Sequence, residues 1–231
     1  MIRLDKYLCD CGIGTRSEVK KIIKAGRVSV DGGVIKKPED KLNELTSIVT
    51  IDGKEIAYET FSYFLFHKPS GCVTATEDNL HKTVMDYFSD VNVKNLAPVG
   101  RLDLDTEGLL LVTNDGALAH HLISPSHHVE KTYYVEVDNQ IPPESIDIMR
   151  EGIPMDGKLT KPASLKLLSD TTARLTITEG KFHQVKRMFA HVGCQVTYLK
   201  RETMGILTLG DLQRGCYRKL TQQEIETLKK K

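Results

Sequence analysis

A change of texture at residues 58–60 constrains this fold more than any other feature of the chain. Before it the sequence is basic and turn-rich, with short alternating stretches. After it come aromatic and aliphatic runs that read as sheet strands, alternating with amphipathic segments of helical period. That division predicts two domains, residues 1–58 and residues 59–231, with a joint between them. A chain of 231 residues can bury one medium core and one small one.

The first segment carries its charge unevenly. Through residue 37 there are nine basic side chains against four acidic ones, a local excess of five positive charges on a chain whose net charge is +1. Such a segment suits a polyanionic partner, although a charge run alone also describes a solvated face. Thr15-Arg16-Ser17-Glu18 has the form of a capping box and predicts a helix ending at Gly26. Arg16, Lys20 and Lys24 fall one turn apart on that helix and form a cationic stripe. Residues 27–30 and 47–51 alternate like strands, and Asp31-Gly32 and Asp52-Gly53 mark tight turns.

Beyond the joint, residues 61–66, 109–113, 131–137 and 174–178 read as strands, and residues 115–123, 182–192 and a stretch after Thr221 as helices. The fold class expected is α+β, with a mixed, mainly antiparallel sheet and flanking helices in the larger domain. Apolar runs such as 109–112 are too short to cross a bilayer, and the start lacks the apolar stretch of a signal peptide. Five scattered cysteines read as reduced thiols, so the expected location is the cytoplasm.

Three stretches could carry chemistry. Asp103-Leu104-Asp105-Thr106-Glu107-Gly108 opens like a calcium loop, but its seventh and ninth positions fall on Leu109 and Leu111 and its twelfth is Asn114. A carboxylate pair for glycoside cleavage and a polar turn both remain open for it. In residues 179–189, Phe182, Val185, Met188 and Phe189 share a helical face and are expected in the core, leaving His183, Lys186 and Arg187 off that stripe. Tyr133 and Tyr134 are adjacent in a strand and point to opposite faces, so one can reach a site while the other packs. Cys9-x-Cys11 and the paired histidines lack the spacing of a metal site.

Two resemblances organise these residues. Arg3-Leu4-Asp5-Lys6-Tyr7-Leu8, Thr15-Arg16-Ser17-Glu18 and Gly26-Arg27-Val28-Ser29-Val30-Asp31-Gly32 resemble the S-four (αL) RNA-binding domain, over roughly residues 1–58. Lys68-Pro69-x-Gly71, Gly100-Arg101-Leu102-Asp103-x-Asp105-Thr106-x-Gly108-Leu109, Glu130-Lys131-Thr132-Tyr133 and Glu179-Gly180-x-x-His183-Gln184-Val185-Lys186-Arg187-Met188-Phe189 resemble the RsuA-type pseudouridine synthases in order and spacing. Together the two cover essentially the whole chain.

The second resemblance implies an isomerase that detaches uracil from ribose, turns it and rejoins it through carbon five, which calls for no cofactor and no metal. It implies Asp103 as nucleophile, Lys186 as its basic partner and Tyr133 as the ring stacked on the target uracil. Arg101 is expected to fill the space of the extruded nucleotide, and Lys68, His183 and Arg187 to contact substrate. Asp105 and Glu107 are read as turn or support residues. Phe182-His183 before Gln184, with a tail of only Lys229-Lys230-Lys231, is closer to the branch acting on small-subunit 16S rRNA. The alternatives are a large-subunit 23S rRNA enzyme of the same family, a non-catalytic assembly factor and an N-glycosidase. The expected partner is ribosomal RNA or an assembly particle, bound by a monomer.

Overall fold

The computed structural model describes residues 1–44, 46–56, 61–91 and 93–230. The joint expected at residues 58–60 lies outside the described residues, as does Lys231 of the basic tail. The chain separates into two compact units, Met1–Ser62 with Val91–Asn95, and Tyr63–Asp90 with Leu96–Lys231.

In the first unit, Thr15 caps the helix Arg16–Lys24 through a capping box in which the Glu18 backbone donates to the Thr15 hydroxyl and the Glu18 carboxylate accepts from the Thr15 backbone. Val19 and Ile23 turn inward onto Leu4, Tyr7 and Leu8 of the helix Leu4–Asp10 and onto Val28, Leu42 and Val49. Arg16, Lys20 and Lys24 are left exposed. The strands Gly33–Ile35, Val28–Val30, Val49–Ile51 and Lys54–Glu55 lie side by side in that order, all antiparallel. Their two tight turns place Asp31 and Gly32 at φ 51° and 84°, and Asp52 and Gly53 at 50° and 81°. Left-handed conformation at both central residues is what a two-residue hairpin needs, and Asp-Gly adopts it at little cost.

The second unit is built on a nine-stranded sheet whose main path runs Ser164–Leu167, Thr172–Ile177, Lys131–Val137, Val196–Met204, Glu107–Thr113, Tyr63–Lys68, Tyr217–Lys219. Neighbours are antiparallel except that Val196–Met204 and Glu107–Thr113 run parallel, through Lys200 with Glu107 and Arg201 with Gly108. Every residue of Tyr63–Lys68 and of Glu107–Thr113 is buried, as expected of central strands covered on both faces. Lys131–Val137 instead alternates buried and half-buried residues, which is why its sequence alternates.

Among the helices of this unit are Gly116–Ile123, Ser145–Glu151, Gln184–His191 and Gln222–Lys229. A core of Leu65, Leu109, Leu111, Leu118, Leu122, Met204 and Leu228 ties two of them to the sheet. No helix of the described residues is long and apolar enough to cross a membrane.

Candidate active site

Asp103 sits on the loop that leads into the strand Glu107–Thr113, and the geometry of that loop is fixed from below. The ammonium of Lys68 donates to the carbonyls of Asp103 at 3.0 Å, Thr106 at 2.9 Å, Pro69 at 3.1 Å and Leu104 at 3.5 Å. Lys68 itself is fully buried. Burial pulls its ammonium below the usual lysine range, against the opposing charges of Cys72, Asp103, Asp105 and Glu107. Lys68 was expected to touch substrate; in this structure its ammonium is enclosed by loop carbonyls. The Thr74 hydroxyl accepts from the Leu102 backbone and donates to the Leu102 carbonyl at 2.7 Å, and the Gly71 backbone donates to the Leu104 carbonyl at 2.8 Å. The loop end is equally constrained. Gly108 adopts φ +112°, and a Cβ there would collide with the backbone of Arg201. Only glycine fits this parallel contact.

With the backbone so held, the Asp103 carboxylate faces two basic side chains, one just before and one within the helix Gln184–His191. Lys186 Nζ lies 3.4 Å from Asp103 Oδ2, and His183 Nε2 lies 3.6 Å from Asp103 Oδ1. Lys186 also reaches Asp105 Oδ1 at 2.5 Å, closer than it comes to Asp103. The Asp105 carboxyl is raised by partial burial, but the hydrogen bond and charge of Lys186 outweigh this and hold it below the usual range. Nothing in the spacing of either motif signals this second contact, which turns Asp105 from a turn residue into a competitor for the lysine.

The segment before the helix departs from its expected course. Residues 182–192 read as one helix from their periodicity, yet His183 is left-handed at φ 50° and the helix starts at Gln184. The buried Gln184 side chain stabilises this break: its oxygen accepts from the Lys181 backbone at 2.8 Å and its nitrogen donates to Glu179 at 2.9 Å. Val185, Met188 and Phe189 pack inward as expected. Phe182 does not; it is 73% exposed, because the left-handed residue after it takes its side chain out of helical phase. Arg187, expected to contact substrate, holds Asp156 with two hydrogen bonds of 3.0 and 2.7 Å and donates to the Phe182 carbonyl at 3.4 Å.

Tyr133 is brought toward this region by sheet register. Arg201 pairs with Gly108 on one side and with Tyr133 on the other, so Tyr133 shares a transverse row with the residue that ends the Asp103 loop. Tyr133 is buried, with Lys131 and Val135, on one face of its strand. Tyr134 points the other way and meets Tyr198 edge to face. Lys131 is pressed to about 8 by burial, with the charges of Arg201 and Lys161 adding to the effect. Glu107 is buried and held by Arg214 at 2.9 Å and the Tyr198 hydroxyl at 2.9 Å, so it supports the strand rather than facing the loop. Arg101 is exposed at the start of the loop. Arg16, Lys20 and Lys24 belong to the first unit, where Arg16 also lies 3.4 Å from buried Asp5. Among the described residues no three His, Cys, Asp or Glu side chains converge in a way that would hold a metal ion.

A carboxylate flanked by a lysine and a histidine, on a loop whose backbone is held by hydrogen bonds from Lys68 and Thr74, has the surroundings of a nucleophile for an electron-poor carbon. Comparison with known proteins places this arrangement in a family. Residues 62–191 match the family model described as RNA pseudouridylate synthase, and residues 2–44 match that of the S4 domain. The chain is 44% identical to a Bacillus subtilis (strain 168) protein named as an uncharacterized RNA pseudouridine synthase, YtzG, over 98% of both chains. It is also 44% identical to ribosomal small subunit pseudouridine synthase A of Vibrio cholerae, over 98% of this chain and 99% of that one. The Escherichia coli (strain K12) protein of the same name is 39% identical, over 98% and 100%. A crystal structure of a pseudouridylate synthase superposes with a TM-score of 0.70 at 38% identity, covering 99% of this chain and all of that one. With an S4 domain at its N-terminal end and a synthase sheet carrying Asp103, this chain belongs to the RNA pseudouridine synthase family.

Proposed function

We propose that the chain isomerises one uridine of small-subunit 16S rRNA, with Asp103 as the nucleophile. The observation that carries the choice of RNA is end-to-end similarity to relatives named for the ribosomal small subunit. The site around Asp103 supplies the chemistry, and the basic helix of the S4 domain supplies the means of docking on a folded RNA. Arg16, Lys20 and Lys24 are therefore assigned to phosphates.

In the proposed reaction the target nucleotide is extruded from its stack, with Arg101 occupying the space it leaves. The Asp103 carboxylate adds to the ribose or to the uracil ring, and the bond between uracil N1 and ribose C1′ breaks. The ring turns, the bond between C5 and C1′ forms, and the carboxylate is released. C5 loses its proton and N1 gains one. Atoms and electrons balance without an external oxidant or net consumption of water. Lys186 stands beside the carboxylate as its counter-ion. Tyr133 stacks on the detached ring and takes part in moving the C5 proton. Lys68 acts at one remove, by holding the loop carbonyls. The protein works as a monomer in the cytoplasm, on free rRNA or on an assembly particle.

The test is tritium release from small-subunit and large-subunit rRNA labelled at uracil C5, with free uracil assayed in parallel. Release from small-subunit rRNA without free base is the expected result. Release from large-subunit rRNA alone would overturn the choice of substrate, free uracil would indicate a glycosidase, and RNA binding without release would indicate an assembly factor.

A further inference from the structure

Phe182 is 73% exposed, whereas Phe189 in the helix that follows is fully buried. Leaving a phenyl ring in water forgoes the stabilisation its burial would give, and helical continuity would have supplied that burial beside Val185 and Phe189. The chain instead adopts a left-handed His183 that directs the ring outward. This conformation is secured on both sides, by the Gln184 side chain on the Lys181 backbone and by Arg187 on the Phe182 carbonyl. The exposure is built into the turn.

The ring is also oriented. It lies nearly parallel to the His183 imidazole, with centroids 3.8 Å apart and planes inclined by 18°. His183 Nε2 in turn is 3.6 Å from Asp103 Oδ1. One face of Phe182 is thus backed by the imidazole. The ring is one side chain removed from the carboxylate. Lys181, Lys186 and Arg187 are its basic neighbours in the chain, the latter two paired with Asp103, Asp105 and Asp156.

We infer that Phe182, backed by His183, is a stacking platform for the base of a nucleotide next to the target uridine. The inference rests on the proposed role of Asp103 as nucleophile, since that role sets the position of the target. Tyr133 serves the reacting base and Phe182 serves its neighbour. Stacking tolerates any base, so this contact contributes affinity and registration of the RNA strand rather than reading of base edges.

The test uses full-length Phe182→Ala and Phe182→Trp proteins with naked rRNA. Phe182→Ala is expected to raise KM and the RNA dissociation constant by about tenfold while kcat stays within about twofold, and Phe182→Trp is expected to restore both. Because the ring is exposed, thermal stability should not fall. A photoreactive benzoylphenylalanine at position 182 should crosslink to RNA within about two nucleotides of the isomerised uridine. Unchanged affinity for Phe182→Ala, failure of Phe182→Trp to rescue, or crosslinks only to RNA remote from the isomerised uridine would overturn the platform. Binding and crosslinking do not depend on turnover. An active Asp103→Asn protein would therefore remove the nucleophile assignment while leaving both readouts at Phe182 interpretable.

Discussion

The Lys68 ammonium lies 3.0 Å from the backbone carbonyl of Asp103, and three further carbonyls of the adjoining turns surround the same nitrogen. A buried lysine thus sets the backbone from which the proposed nucleophile projects. Lys68→Met fills the same space but leaves buried acceptors without a donor, at a cost of about 3 kcal/mol. The expected outcome is a lower denaturation midpoint and a fall in kcat of about tenfold or more, with RNA affinity unchanged. Wild-type stability and kcat in Lys68→Met would show that the loop does not depend on it.

Lys186 divides its charge between Asp103 at 3.4 Å and Asp105 at 2.5 Å. Lys186→Met is expected to lower kcat by about a hundredfold and leave RNA binding nearly intact. Asp105→Asn removes the competitor and leaves Lys186 to Asp103, so kcat should change by less than about tenfold. A Lys186→Met defect confined to RNA affinity would contradict the counter-ion role.

Lys131 makes stability depend on pH in a defined direction. Its native value is about 8 against an ordinary 10.5, because burial and then the Arg201 and Lys161 charges oppose its ionised form. Below about 8 both states hold the proton and the native state carries the full penalty. Between about 8 and 10.5 the unfolded chain binds a proton that the native chain has shed, so this group's contribution to stability rises with pH. Lys131→Met should therefore stabilise the protein at pH 7, and its advantage over wild type should shrink as pH rises through that window. Thermal denaturation of both proteins across that range checks the sign; a constant difference would contradict it.

Arg16, Lys20 and Lys24 lie exposed along one helix. If all three meet phosphates, replacing them with Gln should weaken RNA binding and reduce the slope of log affinity against log salt by about 2 to 3. An unchanged slope would remove the phosphate role.

Much of this fold was legible because its signals are local. Thr15 and Glu18 announce a capped helix, Asp31-Gly32 and Asp52-Gly53 announce hairpins, and the unbroken apolar run at residues 109–112 announces a central strand. What could not be read depends on backbone conformation or on convergence of distant segments. Periodicity reports side-chain chemistry and says nothing of φ, so it carried Phe182 into the core although His183 breaks the helix. A lysine reads as a surface cation until carbonyls more than thirty residues away are seen to enclose it. The preference of Lys186 for Asp105 is likewise a matter of reach across the fold, invisible in the spacing of either motif.

All of the proposed chemistry passes through the Asp103 carboxylate. Its direct test is tritium release from C5-labelled small-subunit rRNA by Asp103→Asn, measured alongside RNA affinity. The expected result is no release above background, with a dissociation constant within about twofold of wild type. Release at the wild-type rate would show that the nucleophile lies elsewhere.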